Sequence, residues 1–457
     1  MKIKKIQVKG LFGTFDHIIN MNLSAGVTIV IGENGLGKTI ILEMLQALFD
    51  GKYQFFTNVS FKSFIIYFDD KVKWTVKNNM TDVKNSYVEL IQQAGKVINS
   101  HKLTGFDDKH VVRMAMSITR DYDYFRRVGT RQWEDRRNGE ICDALDIVNR
   151  YGHRRHAYYN DSNYSRMHYD HPEMLSLFDS RETVPPEWFF ARQKAINVIL
   201  IKTQRLLALD SPDQKPTNTV EKYSDQISKI IKSKLAESTE LSSKLDRTYP
   251  NRLIDRLNKT THVSDEDLNE QLAKLEIKRK LLDEVGLIEI EKDTHLFNFK
   301  FANEVVKDVL MLYVKDSFEK LQIFDATAAK IQLFLSIINK RFKHKKLHVD
   351  REKGFVLKST VLKNEKGEYQ GIPVNKLSSG EQNELVLFYE LIFKAGKNSL
   401  ILIDEPEISL HISWQNTFID DLREINRLNS LDILIATHSP DIISNNWDLK
   451  VELKGVE

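Results

Sequence analysis

Thr28-Ile29-Val30-Ile31-Gly32-Glu33-Asn34-Gly35-Leu36-Gly37-Lys38-Thr39 is the stretch that decides the fold. A short apolar run enters a glycine-rich turn, and the chain from Thr39 to Phe49 is then apolar nearly all round, through Ile40, Ile41, Leu42, Met44, Leu45 and Leu48. Such a pattern predicts a strand, a tight turn, and a helix packed on a sheet and covered on its other side. The spacing of Gly32, Gly35, Gly37, Lys38 and Thr39 is that of a phosphate-binding loop. Glycines let the backbone around Asn34 curl until its amide hydrogens face phosphate oxygens, and the helix N-terminus adds partial positive charge. Lys38 then reaches the β- and γ-phosphates, and Thr39 offers a hydroxyl to Mg2+.

Three further stretches carry chemistry. Ser399-Leu400-Ile401-Leu402-Ile403-Asp404-Glu405-Pro406 is an apolar strand ending in two carboxylates. It predicts Asp404 beside the metal and Glu405 beside the attacking water. Leu377-Ser378-Ser379-Gly380-Glu381-Gln382 precedes a helical run through Leu385, Leu387, Tyr389 and Leu391. Small polar groups and bare amides there crown a helix N-terminus, which serves either as a simple cap or as an anion site. Ala436-Thr437-His438-Ser439 follows the apolar run Ile433 to Ile435, where a lone histidine is ordinarily a satisfied loop residue.

Taken in order, these four motifs resemble the head of an ABC ATPase. The resemblance implies ATP and Mg2+ as ligands and two nucleotide sites closed between paired subunits. Ser378, Ser379 and Gly380 of one copy would cap the γ-phosphate held by the P-loop of another. His438 would be the switch histidine that contacts that phosphate, and Ser409-Leu410-His411 the loop running between the sites. The family also has a glutamine ligand to the metal at a strand end, for which Gln204 in Ile199-Leu200-Ile201-Lys202-Thr203-Gln204-Arg205 is the choice and Gln193 the alternative. The expected fold is α/β, an ABC ATPase head of two lobes, with a mixed antiparallel and parallel sheet and a helical signature lobe. A helical insertion and a short coiled-coil hairpin interrupt it.

Around this frame the chain divides as follows. Residues 1–90 form the first lobe with the P-loop, including a strand at Ile3, Ile6 and Val8 and a hairpin of Phe64 to Phe68 with Val72 to Val76. Residues 91–190 are irregular and rich in Arg, His and Tyr, as an inserted helical and loop region. Residues 191–210 hold a return strand, Ile196 to Ile201. Residues 211–300 read as a helical hairpin from Val220, Tyr223, Ile227, Ile230 and Leu268, Leu272, Leu275, broken by Tyr249-Pro250. Each arm is expected to stay under about thirty residues, roughly 45 Å. Residues 301–457 carry a helix from Ala328 to Lys343, a hairpin around Gly354, and then the signature, the carboxylate strand and His438.

About 340 residues separate P-loop and signature, so something of domain size is inserted between them. This is unlike a transporter ATPase and resembles the SMC, RecF and RecN class, whose heads carry helical insertions and act on DNA. With Cys142 as the single cysteine there is no Cys-x-x-Cys hook to join long arms through zinc. The Glu405 to His411 box resembles stand-alone ATPases of bacterial anti-phage systems, including overcoming-lysogenization-defect nucleases. Those carry a Toprim domain after the head, whereas fewer than about twenty residues follow His438, so no nuclease domain is expected here. The opening Ile3 to Phe15 stretch with Gly10-Leu11-Phe12-Gly13-Thr14-Phe15-Asp16, and the Phe61 to Tyr67 strand, are most similar to the PtuA family of Septu anti-phage ATPases. That resemblance implies a higher homo-oligomer holding a separate HNH endonuclease. Ile40 and Ile412 depart from the family's commoner Thr or Ser and Pro, and neither removes a catalytic group.

Composition sets the outer limits. The 457 residues are 41% apolar and 29% charged, a globular make-up, and a net charge of +3 on 67 basic and 64 acidic residues neither demands nor excludes a nucleic-acid partner. The lone cysteine suits a reducing compartment. The N-terminus lacks a signal-peptide stretch, and no apolar run is long enough to span a bilayer, so a cytoplasmic protein without membrane contact is expected. His153, His156, His168 and His171 have spacings open to zinc, but a solvated basic loop is the plainer account. Arg126, Arg127, Arg131, Arg136, Arg137, Arg154 and Arg155 interleave with Tyr124, Phe125, Trp133, Tyr158 and Tyr159, which fits a nucleic-acid or a protein-partner surface. Lys340 to Lys346 reads as solvated capping of a helix end. The alternative function is a DNA-repair or chromosome-associated ATPase that binds DNA itself.

Overall fold

The structure, a computed structural model, describes residues 1–79, 87–103, 108–120, 122, 124–136, 140–144, 147, 186–202, 207–208, 217–258, 264–290, 303–396 and 398–455. These fall into two compact units. One comprises Met1–Thr203, Leu209–Pro216 and Ala395–Glu457, the other Gln204–Ala208 and Thr217–Lys394.

The first unit is built on a five-stranded, wholly parallel sheet in the order Val198–Ile201, Leu400–Asp404, Asp432–Ala436, Val27–Ile31 and Lys450–Glu452. Leu400–Asp404 and Asp432–Ala436 are buried at every position, as strands covered on both faces must be, which is why they read as unbroken apolar runs. The helix Lys38–Phe49 leaves the end of Val27–Ile31. Its Ile41, Leu42, Met44, Leu45 and Leu48 share one core with Leu400, Leu402 and Leu434 of the parallel sheet and with Ile6, Val8, Phe64, Ile66 and Trp74. The latter five belong to a second, six-stranded antiparallel sheet in the order Phe15–Asn20, Ile3–Leu11, Ser63–Phe68, Val72–Asn79, Tyr87–Ala94 and Val97–Leu103. The helix is thus clamped between two sheets, and each of its fully buried aliphatic side chains contributes roughly 1.5–3 kcal/mol. This antiparallel sheet continues past residue 90 through Tyr87–Ala94 and Val97–Leu103, with Val88 and Leu90 buried in the shared core. Beyond it the helix Asp108–Thr119 and the small sheet Phe125–Arg127, Gln132–Asp135 and Glu140–Asp143 close over a core of Ala115, Ile118, Trp133 and Cys142.

The second unit is helical with a three-stranded antiparallel sheet, Lys345–Asp350, Gly354–Lys363 and Tyr369–Ile372, and a two-stranded one, Leu207–Ala208 with Thr217–Asn218. Its first helix, Thr219–Leu257, runs 39 residues, longer than the sequence led us to expect, and passes through Tyr249-Pro250 without a break. A proline removes one backbone donor and crowds the preceding turn. Here the Thr248 hydroxyl donates to the carbonyls of Lys244 and Leu245, and Arg252 donates to the Leu245 carbonyl. Past the proline, Arg252 forks onto Asp316 and Arg256 holds Asp308 at 2.9 Å, anchoring the last turns to the helix Glu304–Gln322. Leu268, Leu272 and Leu275 of Asp265–Glu284 pack against Val314 of that same helix, so the two arms have a third helix for company. Among the described residues no single helix is long and apolar enough to cross a membrane.

Candidate functional site

In the first unit the P-loop turn is shaped by its neighbours. Gly35 and Gly37 have φ of +88° and +86°, the left-handed region that glycine enters freely. At Gly37 there is no room either, since a β-carbon would lie 2.4 Å from Leu11 Cδ2. His17, 2% exposed, sets its Nε2 at 2.8 Å from the Leu36 carbonyl, and because a carbonyl only accepts, that nitrogen carries the proton. Burial pulls the His17 pKa below its ordinary value, with the Leu36 carbonyl and Asp16 acting against it. Lys38, 7% exposed, curls its ammonium back over the turn and donates to the carbonyls of Gly32 at 2.7 Å and Glu33 at 3.0 Å.

The sheet register brings the other groups to the same place. Asp404 pairs level with Ala436, and Ala436 with Val30, so the P-loop, the two carboxylates and His438 all leave the carboxyl ends of three adjacent strands. Thr39 donates its hydroxyl to Asp404 Oδ1 at 3.1 Å. Burial raises the Asp404 carboxyl above the ordinary range, the Thr39 hydroxyl opposes this, and Glu405, Glu43 and Glu407 push it further up. That crowd of negative charge around a buried carboxylate fits a divalent cation. Asp404 and Thr39 would hold Mg2+, an ion that takes one or two protein oxygens and fills its shell with water and phosphate. Among the described residues no group of three His, Cys, Asp or Glu is arranged to hold a metal ion by itself.

Glu405 has φ of +44°, an uncommon conformation for a side-chain-bearing residue, and its N–H donates to the Ala436 carbonyl at 2.8 Å. His438 Nδ1 lies 3.0 Å from Glu407 Oε1 and 3.8 Å from Glu405 Oε1. Glu407, and Gln415 behind it, are the groups that sequence reasoning left without a role, as was His17. No periodicity marks any of them, and only the strand order shows whom they meet.

Gln204 lies outside the described residues, as do His153, His156, His168, His171, Arg137, Arg154, Arg155, Tyr158 and Tyr159. Gln193 is engaged elsewhere. Its amide donates to the carbonyls of Leu48 and Phe49, about 15 Å of helix away from Lys38.

In the second unit, Ser378 caps the helix Ser379–Tyr389 through a capping box with Glu381. Glu381 is also held by Lys345 at 2.9 Å. Burial pushes the Glu381 carboxyl up, but Lys345 and the Ser378 groups bring it below the ordinary range. Ser378, Ser379 and Gly380 stand exposed at this helix tip, and nothing lies within 4 Å of where a β-carbon on Gly380 would be.

Among solved structures the chain is similar to the Smc head domain with an extended coiled coil bound to the C-terminal domain of ScpA from Pyrococcus furiosus. The identity is 12%, the TM-score 0.31, and 97% of this chain and 91% of that one are covered. It is similar also to an SmcHead bound to the C-winged helix domain of ScpA, at 12% identity and a TM-score of 0.33, covering 97% and 92%. The SMC head domain from Thermotoga maritima matches at 11% identity and a TM-score of 0.32 over 100% of both chains. No curated protein matches. The family model for the AAA ATPase domain matches residues 1–443, nearly the whole length, and the chain belongs to that family.

Proposed function

We propose that this AAA-family ATPase hydrolyses ATP at two sites closed between paired copies, and that in the cytoplasm it regulates a separate HNH nuclease in a bacterial anti-phage complex of the Septu kind. The contact between Thr39 and Asp404 carries the hydrolytic part of the reading, because it sets the phosphate turn and the acidic strand end at one point. On this reading Lys38 and the amides of Gly32 to Thr39 bind the phosphates, and Asp404 and Thr39 hold Mg2+. Glu405 orients and deprotonates the attacking water, and His438 contacts the γ-phosphate. Ser378, Ser379 and Gly380 of the second copy would close over it, their helix tip supplying exposed amides for a phosphate. Gln204 remains the proposed further metal ligand. Support for the Septu assignment comes from the resemblance of Gly10 to Asp16 and Phe61 to Tyr67 to that family.

A second reading, a repair or chromosome-associated ATPase that binds DNA itself, is favoured by the exposed Arg126, Arg127 and Arg136. Lys38→Ala is expected to abolish nucleotide binding, whereas Glu405→Gln retains ATP and accumulates as a closed pair whose mass doubles on adding MgATP. Equal turnover in wild type and Glu405→Gln would overturn the general-base assignment. An HNH nuclease gene beside this one, with its product retained by this chain, would support the Septu role, and salt-sensitive binding of plain duplex DNA without any nuclease supports the second.

A further inference from the structure

We infer that Glu407 is the positioning residue of His438, holding both its backbone and its ring for the γ-phosphate. The inference rests on the proposed role of His438 as the phosphate contact.

Glu407 follows the acidic strand end in the turn Pro406–Ile408, and its side chain is 7% exposed. One oxygen does two jobs. Oε1 accepts the His438 backbone N–H at 2.9 Å and lies 3.0 Å from Nδ1 of the same residue. A carboxylate can only accept, so an oxygen at this distance favours the tautomer that carries its proton on Nδ1 and draws the ring toward Glu407. Nδ1 is the ring nitrogen that lies against both carboxylates. A ring held in this way has Nε2 as the edge it can present to a phosphate oxygen. The other oxygen, Oε2, is buried and accepts no hydrogen bond among the described residues.

Tying a loop to its neighbour does not require this. An amide would accept the His438 N–H as well without burying a charge, and a buried carboxylate with an unsatisfied oxygen is destabilising. The carboxylate therefore has its use in the imidazole. Gln415, 8% exposed, keeps the two loops from drifting apart. Its amide nitrogen donates to the carbonyls of Glu407 at 3.3 Å and Leu410 at 3.2 Å, and its oxygen accepts from the Ser439 hydroxyl at 2.9 Å. The loop after Leu400–Asp404 and the loop after Asp432–Ala436 are so joined into one support, with Glu407 pointing from the first into the second.

The test is a double-mutant cycle on the full chain with MgATP, read as kcat and KM, for Glu407→Ala, His438→Ala and the pair together. Each single change is expected to lower kcat to a similar extent, about 10- to 100-fold, with KM little altered, and the double variant is expected to be no slower than His438→Ala. Glu407→Gln keeps the shape and the backbone acceptor without the buried charge, so it is expected to melt at or above the wild-type temperature while losing turnover, and it carries the test should Glu407→Ala fail to fold. In nitrogen-15 histidine spectra the signal absent from His438→Ala is expected to show a protonated Nδ1 in wild type and to lose that signature in Glu407→Ala. Wild-type turnover in both Glu407 variants beside an impaired His438→Ala would overturn this inference alone, and so would losses that multiply in the double variant. Wild-type turnover in His438→Ala would instead remove the reading on which it rests.

Discussion

Thr39 and Asp404, 365 residues apart in the chain, meet through a 3.1 Å hydrogen bond at the carboxyl ends of parallel strands. Asp404 is buried, with its carboxyl pushed up by burial and by Glu405, Glu43 and Glu407, so the site gains most from a cation.

The first prediction follows from that charge. Asp404→Asn is expected to lower Mg2+-dependent turnover by at least about 100-fold. A ligand that binds only the folded state raises the melting temperature by mass action. Wild type should therefore melt higher with ATP and Mg2+ than with ATP and a chelator, and Asp404→Asn should show no such increment. An undiminished increment in the variant would place the metal elsewhere.

Gly37 tests the shape of the turn apart from its charge. Alanine there meets a φ of +86° and a contact of 2.4 Å with Leu11, so strain and overpacking add. Gly37→Ala is expected to cost about 1–3 kcal/mol of stability and to weaken nucleotide binding with Lys38 intact. Gly35, at a similar φ but with open space around it, is the control. Gly35→Ala should lose less stability, and equal losses at both positions would show that the Leu11 contact is irrelevant.

His17 makes the first unit acid-sensitive. Burial holds its folded pKa below the unfolded value of 6.5, so the unfolded chain binds the proton more readily. Stability from the neutral ring is complete above pH 6.5 and is lost as pH falls from there toward the folded value, by up to about 1.4 kcal/mol per unit. His17→Gln, an uncharged donor toward the Leu36 carbonyl, is expected to be less stable than wild type at pH 8 and to lose less on acidification to pH 5. Parallel melting curves across that range would mean that His17 does not titrate on unfolding.

What could be read in the sequence was local. The run Thr28 to Ile31, the glycines and the apolar helix after them need no distant information, and neither does Leu400 to Asp404, whose burial on both faces leaves it apolar at every position. Pro250 misled because its turn is supported from another helix, by Arg252 on Asp316 and Arg256 on Asp308, and ion pairs of that kind have no sequence period. Glu407 was visible as a letter in an acidic box, but its partner depends on Asp432–Ala436 lying between Leu400–Asp404 and Val27–Ile31, an order that no stretch of chain announces.

The signature glycine gives the sharpest test of closure between copies. Gly380 lies in the first turn of Ser379–Tyr389, has no left-handed φ, and has open space where a side chain would go. Its own fold would be better served by alanine, which is favoured in a helix by about 1 kcal/mol. A glycine that the fold does not need is explained if something else approaches its bare backbone, and in the proposed dimer that is the γ-phosphate of the other copy. Gly380→Ala is therefore expected to melt at or slightly above the wild-type temperature. Gly380→Leu should fold yet lose about tenfold or more in turnover, and combined with Glu405→Gln it should no longer accumulate the ATP-dependent pair. If Gly380→Leu turns over ATP like wild type, this helix tip does not touch nucleotide, and closure must come from another surface.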